Sequence, residues 1–203
     1  MPPSVSLIIP ALNEVGTIEG VVRAAISSGL FLEVIVVDDG SEDDTADLAQ
    51  KAGATIVAFC QNRGKGFATR EGCLRSRGDL IMCWDADLNK TTTDSFRKLL
   101  DELAEGYDLV VGVLPEPSQR MFKQWSGQRV LTRRLMMSFL AENSNIDSFA
   151  IDSRLIKWAI DRKLKIGYVK LSGIKHVRKC AKRGVIRGLW QYFRMWWEIF
   201  RGK

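Results

Sequence analysis

Leu80-Ile81-Met82-Cys83-Trp84-Asp85-Ala86-Asp87-Leu88 is an apolar run that ends in two carboxylates. Residues 80–84 are short, unbroken and hydrophobic, the pattern of a buried strand. An acid-x-acid pair carries little information by itself, since about two or three chance matches are expected in a chain of this length and acidity. Its position at the end of a strand gives it weight. Two carboxylates there can hold one divalent cation, and such a cation can grip a diphosphate.

Outward from that stretch, strand and helix patterns alternate. Residues 5–9, 34–37 and 54–59 read as three further strands, the second rich in β-branched side chains. Val15, Ile18, Val21, Val22 and Ile26 recur at helical spacing. A helix over 45–52 is stopped by Gly53, and residues 64–77 form a loop leading into a helix stopped by Gly78. Downstream, Thr93 caps a helix with Phe96, Leu99, Leu100 and Leu103 on its buried face, and a fifth strand follows over 109–113. This alternation predicts an α/β fold, a Rossmann-like and mostly parallel sheet with helices on both faces. Ligands of such sheets bind beyond the carboxyl ends of the strands. Asp38-Asp39 follows the second strand and Asp85 and Asp87 follow the fourth, so both acidic clusters belong to that edge.

After Gly112 the pattern loosens at Pro115 and Pro117. Residues 119–141 read as a helix with a basic first half (Arg120, Lys123, Arg129, Arg133, Arg134), 154–161 as a short helix and 166–171 as a strand. Residues 185–200 close the chain as an amphipathic helix. Ile186, Leu189, Trp190, Phe193, Trp197 and Phe200 lie on one face, and Arg187, Gln191, Arg194 and Arg201 on the other. Such a helix suits a membrane interface. The other readings are that it packs on the sheet or against a second copy in a homodimer.

The 203 residues suffice for one domain with a sizeable core, over 1–174, with 175–203 as a basic, aromatic-rich segment of the same domain. Composition is that of an ordinary water-soluble protein, 46% hydrophobic and 27% charged. No run approaches the length needed to span a bilayer, and the N-terminus lacks a basic region and a cleavage site. The expected location is therefore cytoplasmic, with peripheral contact at the inner face of the cell membrane through the last helix. Residues 160–203 hold 13 lysines and arginines against two acids, a net of +11, while the chain as a whole carries +6. A basic end on a mildly acidic body implies an anionic partner. Nucleic acid is disfavoured, because no binding motif is recognisable and the acidic clusters repel phosphates. Cys60, Cys73, Cys83 and Cys180 have neither zinc-ligand nor redox spacing and read as core residues.

Four segments then agree in order: Ile9-Pro10-Ala11-Leu12-Asn13-Glu14, Val36-Val37-Asp38-Asp39-Gly40-Ser41, Asn62-Arg63-Gly64-Lys65-Gly66 and Trp84-Asp85-Ala86-Asp87-Leu88. Together they resemble the family 2 glycosyltransferases, which have the GT-A fold, over residues 4–114. The nearest branch in appearance holds polyprenyl-phosphate sugar synthases and glucosyl-3-phosphoglycerate synthases. The resemblance implies that Pro10, Ala11, Asn13, Glu14 and Asp39 line a nucleoside pocket, that Asp38 helps hold the base or ribose, and that Lys65 approaches the nucleotide. It implies that Asp85 and Asp87 are a metal-binding pair, with Asp87 central to catalysis. His176, the single histidine, stands where some relatives place a further metal ligand. Two carboxylates with one imidazole suit Mn²⁺ or Mg²⁺.

Plainer roles stay open for the same residues. Asp38-Asp39-Gly40-Ser41 also fits a simple turn, Asn13-Glu14 a helix cap, and Gly64-Lys65-Gly66 a solvated loop. The Gly-Lys loop lacks the Ser/Thr of a Walker A motif, and no Gly-x-Gly-x-x-Gly follows the first strand. Asp147 and Asp152 lie where relatives often have an Asp beside a Gly-Phe-Arg element, but no glycine precedes Phe149. Asp147 is the candidate base if the acceptor is a hydroxyl, and a phosphate acceptor needs none. Arg129 and Arg133 either bind acceptor or diphosphate or form a solvated helix face. The expected activity is inverting, metal-dependent transfer of a sugar from a nucleotide-sugar to a polyprenyl phosphate. The alternatives are a soluble phosphorylated acceptor or glycan, or a non-catalytic sugar-nucleotide-binding or scaffold protein.

Overall fold

The computed structural model describes residues 2–115, 126–143 and 151–177. The expected helix over 185–200, the first part of that over 119–141, Asp147 and Cys180 lie outside the described residues. Within them the element order is β1 (Val5–Ala11), α1 (Ile18–Ser28), β2 (Glu33–Asp38), α2 (Thr45–Lys51), β3 (Thr55–Ala58), α3 (Lys65–Arg75), β4 (Leu80–Cys83), β5 (Leu88–Asn89), α4 (Thr93–Ala104), β6 (Leu109–Val113), β7 (Arg129–Thr132), α5 (Arg133–Glu142), α6 (Ile151–Asp161), β8 (Ile166–Lys170) and β9 (Lys175–His176).

Seven strands form one sheet in the order β3-β2-β1-β4-β7-β6-β8, and β5 pairs with β9 in a separate ribbon. All neighbours in the large sheet are parallel except where β7 runs antiparallel between β4 and β6. That strand corrects the expected helix over 119–141. Arg129-Val130-Leu131-Thr132 bonds to β4 on one side and β6 on the other, and helix begins at Arg133. Two flanking ladders outweigh local helical periodicity, because burying the segment satisfies its backbone on both edges.

Strand alternation sorts the core. Leu7, Ile9, Val36 and Met82 face α1 and α4, which contribute Val21, Val22, Phe96 and Leu99. Ile8, Ile35, Val37 and Ile81 face the opposite layer, where α3, α5 and α6 supply Ala68, Phe139, Leu155 and Trp158. Each large aliphatic side chain so covered contributes about 1.5–3 kcal/mol.

Other boundaries shift for local reasons. The α4 cap is Thr92 rather than Thr93: its extended backbone lets Oγ1 accept from the Ser95 N–H, while Ser95 Oγ accepts from the Thr92 N–H. Helix α1 starts at Ile18, leaving Val15 45% exposed, and Ile26 is 46% exposed, so neither joins the expected buried face. Helix α6 covers Ile151–Asp161 and so includes three residues ahead of the expected span. Cys73 and Cys83 are buried, whereas Cys60 is exposed.

Among the described residues no helix is long and apolar enough to cross a membrane. The parallel register sets Ala11 beside Asp38, Asp38 beside Ala58, and Ile8 beside Cys83. The ends of β1, β2, β3 and β4 therefore meet at one edge, and the acidic clusters emerge there.

Candidate active site

The first cluster is built around the turn after β2. Asp38 Oδ1 accepts from the Ser41 backbone N–H at 3.2 Å and from the Ser41 hydroxyl. Ser41 Oγ in turn accepts from the Asn13 N–H at 2.9 Å, and Asn13 Oδ1 accepts from the Glu42 N–H at 2.8 Å. Asn13 adopts φ 55°, a left-handed conformation that asparagine tolerates. Gly40 has φ 80°, and a Cβ there would lie 2.9 Å from the Gln61 carbonyl carbon, so the turn needs glycine. The Glu14 N–H donates to Thr45 Oγ1 at 2.8 Å, and Glu14 Oε2 accepts from the Thr17 hydroxyl. Asp39 accepts from the backbone N–H groups of Arg63 and Gly64 at 2.9 and 2.7 Å, which fixes the loop ahead of α3. Burial pushes the Asp39 carboxyl up from its ordinary value, and Asp38 alongside adds to this against the two N–H donors.

The second cluster surrounds Asp85. Lys65, the first residue of α3, places Nζ 2.6 Å from Asp85 Oδ1 and 2.8 Å from Asp152 Oδ2. The Gln128 amide donates to Asp85 Oδ2 at 2.7 Å. Gly127 lets this loop approach, since a Cβ there would fall 2.1 Å from Asp85 Oδ1. Beneath lies Arg129, whose side chain is 2% exposed and whose guanidinium pairs with Asp152 Oδ1 and donates to the Ser126 carbonyl. Burial opposes the charge on Asp85, but Lys65 and His176 outweigh it and hold the carboxyl well below the usual carboxylate range. Burial likewise opposes the charge on Lys65, yet Asp152 and Asp85 prevail and raise it above the usual ammonium range.

The ribbon of β5 and β9 brings the third participant. Leu88 sits opposite His176, and the Val177 N–H donates to the Asp87 carbonyl at 2.8 Å. His176 Nε2 lies 3.6 Å from Asp85 Oδ2 and 3.8 Å from Asp87 Oδ1. One ligand atom from each of Asp85, Asp87 and His176 lies within 4.8 Å of the others. Two carboxylate oxygens and an imidazole nitrogen are a donor set that fits Mn²⁺ or Mg²⁺.

Pro10, Ala11, Asn13, Glu14, Asp38, Asp39, Lys65, Asp85, Asp87 and His176 thus gather at one sheet edge. One expected position does not, while Arg129 lies beneath the second cluster. Arg133 lies at the opposite edge, where its N–H donates to the Asp79 carbonyl and its Nε to the Ser76 carbonyl. Arg129 is neither on a helix nor solvated: it is buried in β7 and spends its charge on Asp152. Asp147 lies outside the described residues. Sequence reasoning overlooked Gly127 and Gln128 and gave Asp152 no role. Asp152 stands beside Ser153 and Arg154 and carried little signal of its own, and a glycine beside an amide gave almost none for the others.

Comparison with known proteins bears on this edge. Residues 6–164 match the family model described as glycosyl transferase family 2. Undecaprenyl-phosphate 4-deoxy-4-formamido-L-arabinose transferase of Pseudomonas aeruginosa is 34% identical over 136 residues, 62% of this chain and 40% of that protein. Glycosyltransferase AglJ of Haloferax volcanii is 38% identical over 112 residues, 55% of this chain and 36% of that protein. The chain therefore spans about two fifths of the length of these curated relatives. Among solved structures, glucosyl-3-phosphoglycerate synthase of Mycobacterium tuberculosis in complex with Mg²⁺ and uridine-diphosphate superposes with a TM-score of 0.76 at 25% identity, covering 93% of this chain and 78% of that one. The same enzyme in complex with Mn²⁺, uridine-diphosphate-glucose and phosphoglyceric acid gives 0.73 at 25% identity, covering 89% and 74%. With a match across most of its length and the same α/β architecture, the chain belongs to glycosyl transferase family 2.

Proposed function

We propose that this protein transfers a sugar from a nucleotide-sugar to a phosphorylated acceptor, with Mn²⁺ or Mg²⁺ held by Asp85, Asp87 and His176. The observation that carries this reading is the approach of Asp85 and Asp87, at the end of β4, and His176, about ninety residues on, with one ligand atom of each within 4.8 Å of the others at the carboxyl edge of a mostly parallel sheet. The cation, when bound, offsets the charge that develops on the departing nucleoside diphosphate. Pro10, Ala11, Asn13, Glu14, Asp38 and Asp39 form the nucleoside side of the site, and the Asp39 bonds to Arg63 and Gly64 keep the α3 loop close to it.

The acceptor we favour is a polyprenyl phosphate, in line with the curated relative named for an undecaprenyl-phosphate substrate. A phosphate oxygen attacks C1 of the sugar from the face opposite the leaving group. One C1–O bond forms as the bond to the diphosphate breaks, so configuration inverts. A phosphate is already an anionic nucleophile and needs no base; a hydroxyl acceptor would require one, with Asp147 as the candidate. A lipid acceptor also implies peripheral contact with the inner face of the cell membrane. The structural likeness to a synthase bound to phosphoglyceric acid favours a second reading, a soluble phosphorylated acceptor.

Both are tested by incubating the full-length protein and Mn²⁺ with radiolabelled nucleotide-sugars and either undecaprenyl phosphate in detergent or 3-phosphoglycerate. Label in the lipid phase is the expected result, and Asp87→Ala lowers the rate by about 10²–10³. Label only in phosphoglycerate transfers the assignment to the second reading. No transfer to either acceptor, or undiminished turnover in Asp87→Ala, contradicts the proposal.

A further inference from the structure

Lys65 lies against the proposed cation ligands rather than clear of them. Its ammonium is within 2.8 Å of two carboxylates, Asp85 and Asp152, and its side chain is only 19% exposed. Behind Asp152 stands Arg129, so charges alternate through Arg129, Asp152, Lys65 and Asp85. Stability alone is a weak reason for burying four charges, because apolar side chains of similar volume do as well or better.

The members differ in freedom. Arg129 is buried in β7 and fixed by the Ser126 carbonyl, and it pins one Asp152 oxygen. Asp85 is held by the Gln128 amide and closely backed by Gly127. Lys65 alone combines a flexible four-carbon stem with two alternative partners. A divalent cation on Asp85 would meet the ammonium across a single carboxylate, and like charges at that range repel.

We propose that Lys65 is a resident counter-ion that occupies Asp85 in the metal-free protein, and that Asp152 is the positioning residue that keeps the ammonium when a divalent cation takes Asp85. This rests on the cation reading of Asp85, Asp87 and His176. Asp152 cannot follow the ammonium, because Arg129 anchors it, so Lys65 is handed between two fixed carboxylates. Without Asp152 the ammonium would fall back wholly on Asp85 and oppose the cation there.

The test is an electron paramagnetic resonance titration of free Mn²⁺ with the full-length protein, with no nucleotide present. Lys65→Gln should tighten Mn²⁺ binding and Asp152→Asn should weaken it, each by about tenfold, the effect of removing or releasing one nearby charge. Asp152→Glu, which keeps the charge, should recover most of the loss. General damage to the site would weaken binding in both variants, so opposite signs distinguish positioning from structure. Lys65→Gln retains the Arg129 and Asp152 pair and decides the matter even if Asp152→Asn does not fold. Unchanged or weaker binding in Lys65→Gln, or unchanged binding in a folded Asp152→Asn, overturns the proposal alone. Wild-type protein that holds no Mn²⁺ overturns the cation reading, and this inference with it.

Discussion

The two acidic clusters share one sheet edge but are held by different means. Asp38 and Asp39 are satisfied by neutral donors, a serine hydroxyl and backbone N–H groups of the two adjoining loops. Asp85 is satisfied by side chains, a full positive charge on Lys65, the Gln128 amide and a nearby imidazole. Their carboxyls move in opposite directions as a result, Asp39 up by burial and Asp85 well down as Lys65 and His176 outweigh burial. Backbone donors are fixed by the fold and shape a rigid rim. Charged side chains can exchange partners, which the proposed uptake of a cation would require.

The largest effect is expected from removing the charge hidden beneath the second cluster. Arg129→Met leaves the buried Asp152 with Lys65 as its remaining ionic partner among the described residues, and should cost about 3–5 kcal/mol in urea unfolding. A loss below about 1 kcal/mol would mean that the charges are not coupled as described. The first cluster should yield much less. Ser41→Ala removes a neutral hydroxyl that serves Asp38 and Asn13, and should cost about 1 kcal/mol while leaving Mn²⁺ affinity unchanged. An equal loss of Mn²⁺ binding would merge the two clusters into one functional unit.

The smallest effect is in acid titration of the metal-free protein, followed by carboxyl carbon NMR. As pH falls, Asp39 should take its proton before Asp85. The signs for stability are opposite. Asp85, with its folded value depressed, stabilises above the ordinary carboxylate range, and this is lost as pH falls through its folded value. Asp39, with its folded value raised, makes stability fall as pH rises from the ordinary range through its folded value. Reversal of the order would contradict the charged surroundings assigned to Asp85.

The same contrast explains what could be read from the sequence. Asp38 and its Ser41 partner are three positions apart, and the parallel half of the sheet follows from regular strand and helix alternation. Asp85 was legible as an acid at a strand end, but its partners are 20 and 43 positions away, and Lys65 reaches Asp152 across 87. No periodicity links such residues. Gln128 reaches Asp85 because β7, the strand that local pattern read as helix, inserts antiparallel between β4 and β6. Arg129 was misread for the same reason, since its burial is decided by two neighbouring strands and not by its own segment. Gly127 acts through the absence of a Cβ beside Asp85, which only the folded geometry displays.

Asp85, Asp87 and His176 together are proposed to hold a cation that supports a nucleoside diphosphate. This is tested most directly by thermal unfolding of the full-length protein with a panel of nucleoside diphosphates, in Mn²⁺ and in EDTA. A ligand that binds only the native state at about 100 times its Kd adds about 2.7 kcal/mol. An upward shift in Tm is expected for at least one diphosphate with Mn²⁺, absent in EDTA and sharply reduced in His176→Ala. A shift of equal size in EDTA, or one that survives His176→Ala intact, would contradict the proposal.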